Sequence, residues 1–386
     1  MEFTISRTPL LRWKNVLPRV PAARLPVPAS AHSVYHSFFA RNAIYHGLKA
    51  LRISAGDSVL VPSFHCAALV EPVVKRGAGA VFYNVRWDCT LDIQDIESKI
   101  DESTRAILAV HYFGFPQVMR PLLELCRKYN LYLIEDCAHV LAGKTEEGTL
   151  GSFGDISVFS WRKCLPIYDG GSLVINARQI RYTFPTVRSG LTLNLKAAKF
   201  MLEGLSENSW LERNSLASGM IKTIMAAGKG LRTKLPAPEE YQSVNNYDLV
   251  FDPAAADLAM TPLSRYVTRN LDVNSIVKSI RENYRYLAES MRTIGGITLL
   301  HANLPKGVCP LAVPFFAEKT PDFHVALRER GIPAYTWGGV VHPSLEIEQF
   351  PDASFLYDKL ILLPVHQTLT YPEMDTMVQT VKSLLL

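Results

Sequence analysis

Between residues 58 and 176 the chain alternates short apolar runs with stretches of helical spacing, and this alternation limits the fold more than any other feature of the sequence. Runs at 58–62, 81–84, 106–110, 131–134, 156–159 and 172–176 have the length and side chains of buried strands, and 63–78, 92–99 and 122–129 read as helices between them. Such a pattern specifies an α/β domain with a mostly parallel central sheet and helices on both faces. Ligands of an open α/β sheet sit outside the carboxyl ends of its strands. The stretch 131–176 delivers polar groups to those ends: Asp136 and His139 after one run, Ser160 and Lys163 after the next, then the turn Asp169-Gly170-Gly171. An acid, a hydroxyl and a lysine in one crevice suit pyridoxal 5'-phosphate, which takes a lysine as Schiff base and a carboxylate at its pyridinium nitrogen.

The 386 residues exceed one ordinary core and point to at least two domains. A net charge of +5 is mild for this length and gives no reason to expect nucleic acid. The cysteines at 66, 89, 126, 137, 164 and 309 form no C-x-x-C pair and have no histidine at metal spacing, so they read as reduced thiols of a cytoplasmic protein without a metal site. The first residues lack the apolar core and cleavage site of a secretory signal, and no apolar run reaches the roughly 20 residues of a membrane span.

In chain order, prolines at 9, 18, 21, 26 and 28 make 1–30 an extended arm, suited to lie over the protein surface or a neighbouring subunit. A first helix is expected over 37–51, its opening turn carrying Ala40-Arg41-Asn42 as an anion site. A large domain of 31–190 then holds the chemistry. Residues 191–260 form a helical insertion and connector, in which Lys196, Lys199, Arg213, Lys222, Lys229, Arg232 and Lys234 outnumber Glu203, Glu207 and Glu212. The basic, amphipathic part, 191–235, fits either peripheral membrane contact or a subunit interface. Residues 261–386 make a smaller C-terminal α+β domain, with helices expected at 274–291, 322–330 and 372–385 and strands near 307–316 and 361–363.

The ordered series AGDSVLVPSFHCAALVEPVVKRGAGAVFYNV, RAILAVHYFGFPQ, LYLIEDCAH, GSFGDISVFSWRK and DGGSLVIN resembles the DegT/StrS-type aminotransferases of nucleotide-linked keto sugars. These are fold type I pyridoxal phosphate enzymes. The resemblance is dense over 37–176 and thinner over 274–386, where RENYRYLAE and LPVHQTLTYPEMD carry it. It implies that Lys163 forms the Schiff base and shuttles protons, that Asp136 keeps the pyridine nitrogen protonated, and that His139 holds the phenolic oxygen. It places Ser160 on the phosphate, with Asn42 beside it and Arg41 or Ala43 supplying backbone N–H groups. His65 falls near the residue that stacks on the cofactor ring.

Taken singly, each of these has an ordinary reading: a solvated lysine at a strand end, an aspartate capping a helix, a histidine satisfied in the core. Their order is what gives them weight. The resemblance further implies glutamate as amino donor, a keto sugar as acceptor, and a homodimer with shared active sites. Elimination or dehydration on a related substrate, and a cofactor-binding or membrane-associated protein without catalysis, remain as other readings. This chain departs from the family in having Arg41-Asn42 where small residues are usual, and CLPIY (164–168) in place of a glycine-rich turn after the lysine. The segment that reaches into the neighbour's site is also missing, with Asn245-Asn246 or Ser264-Arg265 as substitutes.

Overall fold

The computed structural model describes residues 5–18, 23–206, 251–318, 322–337 and 341–385. Its main sheet is built from β1 (Ser33–Ser37), β2 (Ser58–Pro62), β3 (Gly79–Tyr83), β4 (Thr104–Val110), β5 (Tyr132–Cys137), β6 (Ile156–Ser160) and β7 (Gly171–Ile175). Their spatial order is β1-β7-β6-β5-β4-β2-β3. The pairs from β3 across to β6 are all parallel, whereas β7 runs against both β6 and β1. A mostly parallel sheet was expected. The reversal of β7 is what brings the Asp169-Gly170 turn, which precedes that strand, to the edge where β5 and β6 end.

Helices α1 (Ala40–Ala50), α2 (Ala67–Lys75), α3 (Ile93–Ser98) and α4 (Met119–Tyr129) fill the crossovers. Local chemistry sets their limits. Asp92 accepts from the Gln94 and Asp95 amides at the start of α3, and Asn130 takes a left-handed φ of 54° to end α4. The helix expected over 37–51 starts only at Ala40, because Ser33–Ser37, with the strand-forming Val34 and Tyr35, is drawn into antiparallel pairing with β7. Likewise the helix expected over 63–78 is confined to Ala67–Lys75. Ser63 still donates its amide to the Tyr83 carbonyl at 2.8 Å, and Cys66 is extended.

Beyond the sheet, α5 (Leu191–Ser206) covers the described part of the basic insertion; residues 207–250, with Asn245-Asn246, lie outside the described residues. Then come α6 (Pro262–Asn270), α7 (Val273–Arg292), β8 (Ile297–Leu299), β9 (Ala312–Ala317), α8 (Phe323–Glu329), α9 (Pro351–Lys359), β10 (Ile361–Pro364) and α10 (Tyr371–Leu385). A second antiparallel sheet has the order β10-β9-β8. β8 and α9 had no counterpart in the sequence reading. The proline-rich arm docks on its own chain: the Ser6 carbonyl bonds His366 Nε2 at 2.9 Å, and the Leu10 amide donates to Thr368 Oγ1 at 3.2 Å.

Several histidines sit inside this framework. Burial lowers His36, His65, His301 and His366 from 6.5 to about 4. The unfolded chain therefore binds protons that the folded chain refuses between those values, so this part of the stability is complete above pH 6.5 and is lost as pH falls toward 4. Glu135, held below its ordinary value, adds to the loss at the acid end, while Asp136, Asp155 and Asp169, which burial raises, oppose it. The denaturant midpoint should fall between about pH 7.5 and pH 5; a midpoint that is flat or rises across that window contradicts this balance.

Candidate active site

Adjacent residues on a strand face opposite sides, and β5 uses this to separate two carboxylates. Glu135 accepts from His111 Nε2 at 2.9 Å, from the Phe153 and Gly154 amides at 2.9 and 3.0 Å, and from the Gly151 amide. Burial pushes its carboxyl up, but His111 and these amides outweigh it and hold the group below its ordinary range. His111, Glu135 and Cys137 bring three ligand-type atoms within 4.8 Å of one another. With His111 Nδ1 accepting from the Gln117 amide and Glu135 surrounded by donors, the group works as a buried clasp on the 151–154 turn.

Asp136 faces the other way. Its Oδ1 accepts from the Ala138 amide at 2.7 Å. Burial raises its pKa, with the charge of Lys163, the Ala138 amide and His111 pulling in the opposite direction. Lys163 closes a single helical turn, Trp161–Lys163, that follows β6 directly. The same ammonium acts on His139, which burial and Lys163 together hold well below 6.5. Lys163 is thus within electrostatic reach of both, and the structure brings Asp136, His139 and Lys163 to one place.

The tautomer of His139 follows from its partners. Nδ1 accepts from the Phe113 amide at 3.1 Å, so the ring proton is on Nε2. The ring lies nearly parallel to Phe113, with centroids 5.6 Å apart and planes at 11°. His139 therefore stays neutral and offers an N–H.

On the other side of Lys163, Ser160 ends β6 and pairs with Gly171 at the start of β7. A Cβ on Gly171 would lie 2.4 Å from the Phe39 carbonyl carbon and 2.5 Å from the Ala40 nitrogen. The strand start and the first turn of α1 are thus in backbone contact. Phe39 precedes this helix in extended conformation and gives it no side-chain cap. The Asn42 and Ala43 amides both turn onto the Phe39 carbonyl, at 3.1 and 3.4 Å. That moves the candidate anion donors toward the start of the helix, to Ala40 and Arg41.

The Asn42 side chain is committed elsewhere, donating to the Ala255 and Ala256 carbonyls at 2.7 and 3.1 Å. His65 is fully buried, stacked on Phe82 at 5.3 Å, and bonded through Nδ1 to the Pro62 carbonyl at 3.0 Å. The Asn42 amide and His65 Nδ1 are thus both engaged by backbone carbonyls. Arg41 and Arg162 stand over the same Phe39 ring, at 5.0 and 5.2 Å.

Three features escaped the sequence reading. Asp169 is buried and accepts from the Thr261 amide at 2.8 Å, Thr261 Oγ1 at 2.6 Å and Ser264 Oγ at 2.9 Å, which ties the turn after the lysine to the start of α6. Ser264 is thereby engaged within its own chain. In the CLPIY segment Cys164, Leu165 and Ile167 are core residues, and Tyr168 is partly buried against Phe38 and Phe200. Finally, Trp337 packs against His139. Each joins residues far apart in sequence, and no local pattern marks it.

With this geometry in hand, comparison with known proteins gives a match over residues 40–200. That segment matches the model of the DegT/DnrJ/EryC1/StrS aminotransferase family. The chain is 38% identical over 143 residues to the GDP-perosamine synthase of Escherichia coli O157:H7, covering 36% of this chain and 39% of that one. It is also 38% identical over 140 residues to the UDP-N-acetyl-3-dehydro-alpha-D-glucosamine 3-aminotransferase of Acidithiobacillus ferrooxidans, covering 35% and 38%. These matches span about two fifths of the relatives' length. The fold extends further than the DegT/DnrJ/EryC1/StrS match: the putative sugar aminotransferase Spr1654 of Streptococcus pneumoniae, in its PLP form, superposes with a TM-score of 0.69 at 16% identity, over 98% of both chains.

Two substitutions separate the roles at the α1 end of the site. Gly171→Ala forces backbone apart and should cost about 1–3 kcal/mol while also weakening cofactor uptake. Asn42→Ala leaves the Ala255 and Ala256 carbonyls without their donor and should cost about 1–3 kcal/mol with cofactor affinity within about twofold of wild type. Denaturant unfolding and cofactor titration of each variant check both statements.

Proposed function

We propose that this protein is a pyridoxal phosphate-dependent aminotransferase that moves an amino group from glutamate to a keto sugar, carried on a nucleotide or a related anionic group. The observation that carries this reading is the convergence of Lys163, Asp136 and a neutral, N–H-bearing His139 at the carboxyl edge of the sheet. The residues fit the cofactor. With Oδ1 engaged by the Ala138 amide, Asp136 Oδ2 would accept from a ring N–H. His139 Nε2–H suits a phenolic oxygen. Ser160 and the first turn of α1, drawn together through Gly171, suit a phosphate. The names of the matched relatives support a sugar acceptor.

Bound pyridoxal phosphate supplies an electron sink for a carbanion. Lys163 would hold it covalently through Nζ and, once displaced by the donor's amine, carry the proton from the donor's α-carbon. Asp136 would keep the ring nitrogen protonated; its buried position makes an N–H partner favourable, since an isolated buried carboxylate is costly. Neutral His139 would orient the ring without adding charge beside Lys163.

In this reading 31–190 form the cofactor-binding unit and 261–386 the unit that closes over it. The active species is a homodimer in the cytoplasm, whose partner supplies part of each site. No helix among the described residues is long and apolar enough to cross a membrane. The exposed Leu191 and Leu195 of α5, beside Lys199, suit a peripheral contact that liposome flotation with and without 191–235 would detect.

The purified protein should show a yellow band that glutamate bleaches. Lys163→Ala should lose that band together with turnover, which falls by at least about 1,000-fold. Retention of both by the variant sinks the proposal, and release of a dehydrated product in place of an amine would assign elimination instead.

A further inference from the structure

The segment leading to Trp337 is anchored in the smaller sheet. Tyr335 exchanges backbone bonds with Leu362 of β10, its amide donating at 3.1 Å and its carbonyl accepting at 2.8 Å. Two residues later the chain leaves that sheet and sets the Trp337 indole among four rings of the large domain. The centroid distances are 4.8 Å to Phe64, 5.5 Å to Tyr112, 6.0 Å to Phe113 and 5.0 Å to His139, with interplanar angles of 71°, 83°, 87° and 81°. All four are edge-to-face arrangements, the favourable geometry for rings with opposed face and edge charge.

An ordinary core tryptophan would be buried with its partners. Here Phe64, Tyr112, Phe113 and His139 are buried, whereas Trp337 is half-buried and comes from the far side of the chain. His139 is already held along one face by Phe113 and at Nδ1 by the Phe113 amide. The indole supplies the remaining side contact. With those three constraints the imidazole has one plane, and its Nε2–H has one direction.

We infer that Trp337 is a positioning residue: a wedge from the C-terminal part of the chain that fixes the His139 ring so that its Nε2–H meets the phenolic oxygen of bound pyridoxal phosphate. This rests on the proposed function, and it assigns to a residue outside the 40–200 match a part in holding the cofactor. The contact also makes the closing unit sense the cofactor-binding unit directly, since moving the segment 335–337 releases the imidazole.

The test compares full-length wild type with Trp337→Leu, Trp337→Phe, His139→Phe and the double variant His139→Phe/Trp337→Leu. Each is titrated with pyridoxal phosphate, and the pH at which the visible band of the bound cofactor titrates is recorded. Leucine fills space without a ring, so Trp337→Leu should weaken cofactor binding about three- to tenfold, whereas Trp337→Phe should stay within about twofold. An N–H donated to the phenolic oxygen favours its anion; loosening it should move the band's titration to higher pH in Trp337→Leu and in His139→Phe. Once His139 has lost its N–H, adding Trp337→Leu should change little. Wild-type affinity and titration in Trp337→Leu, or fully additive effects in the double variant, overturn the wedge while leaving the enzyme assignment intact. If wild type itself takes up no pyridoxal phosphate, the functional reading fails and the wedge with it. Should Trp337→Leu not fold, Trp337→Phe decides: a visible band at the wild-type pH supports the wedge, and the shift seen in His139→Phe overturns it.

Discussion

The start of β7 and the first turn of α1 lie closer than any side chain would permit, with the absent Cβ of Gly171 within 2.5 Å of backbone atoms of Phe39 and Ala40. Much of the site depends on this approach. Because β7 runs against β6, its first residue lies beside Ser160, and the Gly170 carbonyl of the turn before it accepts the Trp161 amide two residues ahead of Lys163. Reversing one strand therefore gathers a helix start, a hydroxyl and a lysine at one edge. Asp169 then secures the turn by accepting from Thr261 and Ser264, so the returning chain braces the lysine from outside the sheet. The stretch between also bonds Asn42 through Ala255 and Ala256, and the Phe38 amide through the Leu258 carbonyl.

The two acids of β5 show how one strand holds opposite electrostatics. Glu135 is as buried as Asp136, yet it lies below its ordinary range because His111 and surrounding amides outweigh burial, while burial raises Asp136 against the pull of Lys163, the Ala138 amide and His111. A carboxyl left short of partners in the interior is unfavourable unless another donor completes it. The clasp at Glu135 holds the 151–154 turn; the deficit at Asp136 suits a ligand that carries an N–H.

The positions of Asp136, Ser160 and Lys163 at or just after strand ends were legible in the sequence, because a strand end in an α/β sheet is marked by where an apolar run stops. His139 was legible only through its order after Asp136. Asn42 and His65 were placed beside the cofactor by resemblance, but their side chains turn to the Ala255 and Ala256 carbonyls and to Phe82 and Pro62. Both commitments depend on where distant chain returns. The same holds for β1: a five-residue segment of mixed exposure acquires strand character only from its partner β7, which is far along the chain. Trp337 is the extreme case, since nothing local separates it from any other tryptophan in a loop.

Most of CLPIY is buried: Cys164, Leu165 and Ile167 pack into the core, Asp169 locks the end of the segment, and the partly buried Tyr168 packs on Phe38 and Phe200. Toward the rim, Arg162 is exposed beside Phe39 and Trp337 is half-buried against His139. One lies in 31–190 and the other in 261–386. In the proposed enzyme, holding the cofactor and choosing the acceptor are thus separable: the strand ends of one unit fix the chemistry, and the meeting of the two units shapes what reaches it.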